Sequence, residues 1–542
     1  MLKPDNVYST RTVLLLLLAL LLYNLGGWGV IETSEARYAE MSREMLISGD
    51  WLHPRLLNIL HYHKPPVAYI ISAWGMGLFG ANEFGARFFL QLSLVVQAWL
   101  VYLLGMQLFK NRRTALLAAI VYITIPAVLF AARNLTTDSF LTTFELLAMY
   151  SWVKYKPQRQ TGWLYLFYIS LALAFLTKGP VGLIFPVLLV IGYMTTAETT
   201  PQLPNQSGHH LLAFLIFLVL GLSWYVYLMQ YDARFVDYFI LKHTVERYTN
   251  PETFGRSKPW WFYLVLAPAL SLPWSAILLL NLKKLKALPR RHKRLFILWI
   301  LAPLVFFSLS GSKLILYILP LFAGQALLTA WLLQALPEPA MRKAAVGSLV
   351  YFAVLALALT AGPLLPLEIN VPVGVLLFPM LMLAGLWLLW RSKENRLRQL
   401  MGSTLLFTLL LIPYSTHLMG ANPELINSSS HIAEALQQEP IRGKQVVVYD
   451  KLLPSLAFEL GHTFVSIHDT DSKLKRETQF EESEAWRKTL LEINRPADVA
   501  RLKQLLQQNV ALLVKGDLPA KSQWMKQYFR QQQQVGKWKI YY

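Results

Sequence analysis

Long apolar runs constrain the fold of this chain more than any other feature. A membrane-spanning helix needs about 20 predominantly apolar residues, and the sequence before Gly420 contains thirteen such candidate runs. Only 15% of all residues are charged, against about 25% in soluble domains. The pattern therefore predicts an all-α polytopic membrane protein. The runs cover residues 11–30, 84–109, 114–132, 137–154, 161–177, 179–196, 209–229, 260–281, 293–310, 314–334, 342–366, 371–390 and 399–419.

The charges between the runs predict an orientation. The cytoplasmic loops of membrane proteins are enriched in Lys and Arg. With a cytoplasmic N-terminus, five of the cytoplasmic loops are basic, and only the loop at 197–208 lacks Lys and Arg. The net charge of +20 follows from this topology, so it does not indicate nucleic-acid binding. The five basic stretches are 110–113, 154–159, 283–294, 341–343 and 391–398.

Two further segments complete the predicted organisation. Residues 1–419 are predicted to form the transmembrane domain, and residues 420–542 a small extracytoplasmic α/β domain. Its four predicted strands lie in QVVVY, TFVSIHD, NVALLVKGD and GKWKIYY, with a helix in LLPSLAFELG. The first outer loop, 31–83, contains a helical pattern with Met41 and Met45 on one side. It also contains PPVAYIISAWGMGLFG, which is too short for a span and is predicted to lie in the membrane interface.

Polar residues cluster on the predicted outer face, beginning in the first outer loop. Charged groups near a membrane are costly unless they are paired, so they are candidate functional residues. Glu35, Arg37 and Tyr38 follow the first run directly, and a functional role is favoured for them. Glu40, Arg43 and Glu44 have the spacing of pairs on a helix surface. In HYHKPP, Lys64 offers a phosphate-binding charge, and His63 is either a metal ligand or a hydrogen-bonded interfacial histidine.

Three later stretches add to this outer cluster. In ARNLTTDSFL, Asp138 either caps the positive end of a helix or acts as the acid of a group-transfer site. In residues 238–261, His243 and Arg247 share one helical face. Tyr317 lies at the outer start of the tenth run. Carboxylates beside cations suit group transfer from an anionic lipid, such as a polyprenyl phosphate.

Six motifs in the first 320 residues resemble those of a known family. The sequence resembles the aminoarabinose transferase (ArnT) and protein O-mannosyltransferase group of glycosyltransferases, which have the GT-C fold. The layout of thirteen spans and an outer C-terminal domain is similar as well. The motifs are SEARYAEMSREMLISGDW, HYHKPPVAYIISAWG, NEFGARFF, ARNLTTDSF, FLTKGPVG and FSLSGSKLILYILP.

The resemblance implies an inverting, polyprenyl-phosphate-sugar-dependent transferase of the bacterial inner membrane. Its donor would be a sugar on undecaprenyl phosphate, and its acceptor a lipid or glycan of the outer leaflet. Aminoarabinose transfer to a lipid A phosphate is the favoured reaction. Transfer of another polyprenyl-linked sugar to a lipid, glycan or protein is the alternative. A third hypothesis is a transporter or flippase for lipid-linked sugars. The lack of an internal repeat in the sequence disfavours it. Another hypothesis is a structural or sensor protein that uses the outer α/β domain as a binding module. It does not explain the polar cluster of the first outer loop.

The resemblance also implies roles for individual residues. Glu35 and Asp138 take the catalytic places. The substrate-binding residues are Arg37, Tyr38, Lys64, Arg247 and Tyr317. The family usually has Asp-Glu where this chain has Ser34-Glu35, so Glu35 would replace the missing Asp. It often has Glu-Lys-Pro where this chain has His63-Lys64-Pro65. His63 and His243 would therefore hold a divalent metal, zinc or magnesium, and no other cofactor is expected.

Overall fold

The structure is a computed structural model that describes residues 7–194, 206–238, 258–364, 366, 368–392, 394–469 and 477–542. The chain divides into two compact units. The membrane unit comprises Met1–Tyr23 and Phe89–Ser415, and the sheet unit comprises Asn24–Phe88 and Thr416–Tyr542. The first outer loop and the C-terminal segment thus belong to the same unit. The domain boundary at 419/420 stays a prediction.

The membrane unit is helical. Among the described residues, seven helices are long and apolar enough to cross a membrane, or up to nine when each of two bent pairs counts as one span. The predicted polytopic α-helical fold is confirmed, but the number of thirteen spans is not. The seven helices are Glu83–Phe109, Thr161–Lys178, Ser207–Tyr231, Arg290–Leu309, Glu338–Leu364, Val373–Arg391 and Arg396–Gly420.

The remaining predicted runs form helices that are bent, short or charged, so they are not counted among the helices long and apolar enough to cross a membrane. Prolines 268 and 273 lie within run 260–281, and proline cannot donate a helical hydrogen bond. The run accordingly divides into Phe262–Ala269 and Trp274–Leu280, which meet at 110°. Arg112–Ile123 and Pro126–Arg133 meet at 58°. The described apolar helices Thr12–Leu22, Pro180–Met194 and Leu321–Ala335 are short. Helix Thr137–Gln158 is long enough but carries several charges.

The sheet unit is built around one six-stranded sheet. Its first four strands in spatial order are mutually parallel, and the last two join antiparallel. All four predicted strands are present, whereas two short ones, at 490–492 and 532–535, were not predicted. The order is Leu490–Glu492, Val465–His468, Gln445–Tyr449, Val510–Lys515, Trp538–Tyr541 and Gln532–Val535. Helices Ser430–Leu436, Pro454–Leu460 and Pro496–Leu506 accompany it.

The first outer loop packs on this sheet. It forms helix Ser34–Ser48, a two-stranded hairpin at 55–60, and helix Val67–Phe79. Met41 and Met45 are buried in the same core as Val448 and Leu513 of the sheet. Because this core is shared, the outer loop gains a fixed support for its polar side chains. The helix predicted within PPVAYIISAWGMGLFG is confirmed at 13 residues.

Candidate active site

Asp138, Lys178 and Tyr317 come together in the membrane unit. Asp138 lies in the first turn of helix Thr137–Gln158, and Lys178 is the last residue of helix Thr161–Lys178. A helix favours an acid at its N-terminus and a base at its C-terminus. The Lys178 ammonium donates a hydrogen bond to the Asp138 carboxylate, and both side chains are almost fully buried. It also lies 4.3 Å from the ring centre of Tyr317, a cation–π contact.

A second carboxylate lies near this ion pair. Glu145 follows Asp138 by seven residues, so it lies on the same face of the helix two turns further along. It is 1% exposed and interacts electrostatically with both Lys178 and Asp138. Among the described residues its Oε2 has no hydrogen-bond partner. We did not predict Glu145 from the sequence, although an acid inside an apolar run was a usable signal.

The sheet unit contains a separate polar cluster around Glu477. One Glu477 oxygen lies 3.7 Å from the Arg37 guanidinium, and the other lies 3.3 Å from Nδ1 of His61. The His61 and His63 rings are 4.0 Å apart between centroids, and His63 Nε2 is 3.0 Å from Gln479 Nε2. The sequence did not point to Glu477, because it lies over 400 residues from the histidines it contacts.

His61, His63 and Glu477 have the chemistry of a metal site. Each offers one ligand atom, and these atoms all lie within 4.8 Å of one another. Two imidazoles and a carboxylate suit zinc better than magnesium, which prefers oxygen ligands. Both His243 and Arg247 lie outside the described residues. The proposed partnership of His63 with His243 therefore stays a prediction.

Glu35 is fully buried and its carboxylate makes structural contacts. Its two oxygens accept hydrogen bonds from Arg87 at 2.8 and 3.0 Å, and Oε2 also accepts from the backbone N–H of Ile31 at 2.9 Å. Arg87 is itself 0% exposed, donates to the carbonyls of Leu25, Trp28 and Gly29, and stacks on the Trp28 ring. This geometry fixes the chain where it leaves the first helix. The catalytic role of Glu35 stays a prediction.

Tyr38 and Lys64 have less buried positions in the sheet unit. The Tyr38 ring stacks on Tyr69 with 5.4 Å between centroids. Lys64 is half-buried and follows His63 directly. Their side chains are accessible enough for contact with a donor, but that role stays a prediction.

The prediction that Glu40, Arg43 and Glu44 form pairs on a helix surface is wrong in one respect, because these side chains are buried. Arg43 does pair with Glu40 through two hydrogen bonds of 2.7 Å, but both side chains are buried, and Arg43 also donates to the Gly461 carbonyl. Glu44 accepts from the backbone N–H of Asn58 at 3.0 Å. The triplet therefore lies in the interior, because the loop helix is covered on both sides by its own unit.

The pKa of Glu44 makes the stability of the sheet unit sensitive to pH. Burial and the neighbouring Glu40 carboxylate raise the pKa of Glu44 to about 8, and burial with nearby Glu83 raises the pKa of Glu459 to about 8. These folded-state pKa values exceed the unfolded value of about 4.3. Folding therefore takes up protons at any pH between about 4.3 and 8. Stability is therefore greatest at low pH within this window and falls as pH rises towards 8.

We expect the melting temperature of the purified protein to fall by several degrees between pH 5 and 8. Glu44→Gln should reduce this slope, and Glu44→Gln combined with Glu459→Gln should remove most of it, because glutamine cannot ionise. Thermal unfolding followed at several pH values measures the effect. The exposed Glu434→Gln variant is the matched control. An unchanged slope in the double variant would contradict the assignment.

Comparison with known proteins agrees with this fold. The family model for dolichyl-phosphate-mannose-protein mannosyltransferase matches residues 9–239. The crystal structure of ArnT from Cupriavidus metallidurans bound to undecaprenyl phosphate superposes with a TM-score of 0.79 at 21% identity, covering 99% of this chain and 98% of that one. The chain therefore has the fold of that ArnT structure.

Curated relatives extend the comparison to the sequence. The undecaprenyl phosphate-alpha-4-amino-4-deoxy-L-arabinose arabinosyl transferase of Pseudomonas aeruginosa (strain LESB58) is 30% identical over 488 residues, which is 86% of each chain. The enzyme of the same name from Pectobacterium carotovorum is 33% identical over 364 residues. That match spans 65% of this chain and 64% of the relative, slightly under two thirds of its length. The chain belongs to the family of undecaprenyl phosphate-aminoarabinose arabinosyl transferases, which confirms the resemblance seen in the motifs.

Proposed function

We propose that the protein is an inverting glycosyltransferase that moves 4-amino-4-deoxy-L-arabinose from undecaprenyl phosphate to a phosphate of lipid A. The names of the curated relatives support the donor and the sugar. The observation that carries the proposal is the buried Asp138–Lys178 pair against Tyr317. A buried cation beside a carboxylate and an aromatic ring matches what the transfer of a sugar between two phosphates requires.

The reaction exchanges one phosphate for another at the anomeric carbon. An oxygen of the acceptor phosphate attacks C1 of the sugar, and the bond from C1 to the carrier phosphate breaks. The carrier leaves as undecaprenyl phosphate. Because a phosphate is already ionised near neutral pH, the attack needs no strong base. The charges that need stabilisation are the oxocarbenium-like sugar and the negative leaving group.

Asp138 and Lys178 have complementary charges for these two demands. The Asp138 carboxylate would stabilise positive charge on the sugar, and the Lys178 ammonium would stabilise negative charge on the leaving phosphate. Tyr317 would hold the ammonium in place through its ring. Arg37, Tyr38 and Lys64 are proposed donor contacts, while Arg247 and His243 remain assigned by the sequence alone. For Glu35 the contacts support a structural role, because Arg87 and Ile31 engage both oxygens.

The proposed location is the bacterial inner membrane, which the family and the membrane-spanning helices support. We propose a cytoplasmic N-terminus and an extracytoplasmic C-terminal segment, an orientation supported by the basic loops. With that orientation the donor and acceptor lie in the outer leaflet.

We further propose that His61, His63 and Glu477 hold a zinc ion, with His61 and Glu477 added to the predicted ligand His63. The donor set supports zinc, and a bound ion would supply positive charge for a phosphate group. We expect purified protein to carry about one zinc per chain, and His61→Ala or Glu477→Gln to lose most of it. Inductively coupled plasma mass spectrometry measures this without reference to activity.

The matched control for the zinc prediction is His53→Ala. His53 belongs to the same loop but lies 2.9 Å from Asp50 and outside the triad. Zinc retained in His61→Ala, or lost equally in His53→Ala, would contradict the site.

Expression in cells tests the proposed reaction. A Gram-negative strain that makes undecaprenyl phosphate-aminoarabinose but lacks its own transferase should gain aminoarabinose-modified lipid A when it expresses this chain. Mass spectrometry of extracted lipid A measures the modification. Unmodified lipid A despite membrane-inserted protein would rule out this donor and acceptor pair. The same cells expressing the chain with Asp50→Asn, an acid paired with His53, should still show the modification.

A further inference from the structure

A basic pocket lies at the ends of three helices of the membrane unit, and its lining includes none of the groups proposed for transfer. Its cavity has a volume of about 930 Å³. Three spans contribute: Glu338–Leu364 and Arg396–Gly420 begin there, and Val373–Arg391 ends there. Because these ends contain the basic stretches 341–343 and 391–398, the proposed orientation places the pocket on the cytoplasmic side. The lining residues are Glu338, Pro339, Arg342, Lys343, Val346, Gly347, Leu349, Trp390, Arg396 and Gln399.

The charge of this basic pocket favours an anion. The lining contains three cations, Arg342, Lys343 and Arg396, and one carboxylate, that of Glu338. In the part of the chain that the structure describes, neither Arg342 nor Lys343 forms an ion pair. Three cations gathered in one concavity create a stronger attraction for a phosphate than the same charges spread along an exposed loop.

The pocket wall is held in shape by hydrogen bonds. Arg396 donates to the Gln399 side chain at 2.7 Å, and Gln399 donates to the carbonyls of Ser392 at 3.0 Å and Leu389 at 3.1 Å. Gln399 is fully buried. These bonds hold Arg396, a lining residue of the pocket, against the end of the preceding span.

The rest of the wall suits a lipid better than a soluble anion. Val346 and Leu349 provide apolar surface, and Trp390 is 54% exposed at the end of its helix. Tryptophan at a membrane–water interface lies at the level of the headgroups. Basic pockets between spans on the cytoplasmic side are known to accept phospholipid headgroups.

We propose that this basic pocket binds an anionic glycerophospholipid of the inner leaflet, with its phosphodiester among Arg342, Lys343 and Arg396 and its acyl chains beside Val346, Leu349 and Trp390. The proposal goes beyond the transfer reaction, since this site takes a membrane lipid and not the donor or acceptor. The same cations also obey the positive-inside rule, so the test has to separate a defined site from general attraction at that face.

Native mass spectrometry of the purified full chain in detergent provides the test. The probes are phosphatidylglycerol and phosphatidylethanolamine with identical acyl chains. We expect wild type to bind phosphatidylglycerol about tenfold more tightly. Arg342→Gln combined with Arg396→Gln should abolish the preference. The control, Lys283→Gln combined with Lys284→Gln, removes the same charge from exposed positions outside the pocket and should retain it.

Two results would overturn the proposal. One is equal binding of both lipids by wild type, and the other is an equal loss of preference in the pocket and control variants. If the double pocket variant does not purify as folded protein, Lys343→Gln alone should lower the preference about threefold. An unchanged preference in a folded Lys343→Gln protein would count against the site.

Discussion

Asp138→Asn is expected to lower sugar transfer about 1,000-fold, equivalent to about 4 kcal/mol in the transition state. Asparagine has the same shape and can still accept a hydrogen bond from Lys178. The nearby Glu145 carboxyl also offsets the ammonium charge that the substitution leaves, so the fold should be retained. It removes the negative charge that we propose stabilises the sugar cation, and Lys178 then keeps Glu145 as its neighbouring carboxyl. The measurement is the single-turnover rate with purified protein and saturating donor, together with the melting temperature.

Two control variants define what this loss means. Asp50→Asn removes another paired acid, one outside the membrane unit, and should change the rate by less than about twofold, as expected for a surface substitution. Glu145→Gln should lower the rate by about tenfold, because we propose that its carboxyl acts on the ion pair through space. A folded Asp138→Asn protein with wild-type turnover would remove Asp138 from the site.

Glu35→Gln is expected to destabilise the protein by about 3 kcal/mol or more while sparing the chemistry. Breaking a buried ion pair leaves an uncompensated charge, here the Arg87 guanidinium, which is 0% exposed. The expected signs are a lower melting temperature and a lower yield. Transfer per folded molecule should stay within about threefold of wild type.

The comparison variant for Glu35 is Glu434→Gln, an exposed acid of the same unit that should leave both stability and rate unchanged. A Glu35→Gln protein with a wild-type melting temperature and no transfer would reverse the assignment. Glu35 would then be the catalytic acid that the sequence suggested.

Much of the fold could be predicted because membrane helices follow from local composition. The apolar runs, the short helix at Val67–Phe79 and four strands of the sheet all came from patterns within about 20 residues. The span count could not be obtained in this way. The sequence pattern does not show the neighbours of a helix in space. Those neighbours decide whether a proline-containing run bends, as at Pro273, and whether a charged helix such as Thr137–Gln158 is buried.

The residues of the candidate site also fall into those that local motifs predicted and those that only the structure shows. Asp138 and Tyr317 were predicted from motifs, and the structure places Lys178 between them. Glu477 could not be found, because its contact with His61 joins segments more than 400 residues apart. Glu35 shows the converse. Its motif position predicts catalysis, which stays a prediction, whereas its pairing with the distant Arg87 became visible only in the structure.

The central claim is that this chain transfers aminoarabinose between two lipid phosphates. The most direct test is to incubate purified protein in detergent with undecaprenyl phosphate-aminoarabinose and lipid A, and to follow lipid A by mass spectrometry. The account predicts a mass increase of one aminoarabinose per modified phosphate, with release of undecaprenyl phosphate, and both products formed about 1,000-fold more slowly by Asp138→Asn. Folded wild-type protein that leaves both lipids unchanged would contradict it.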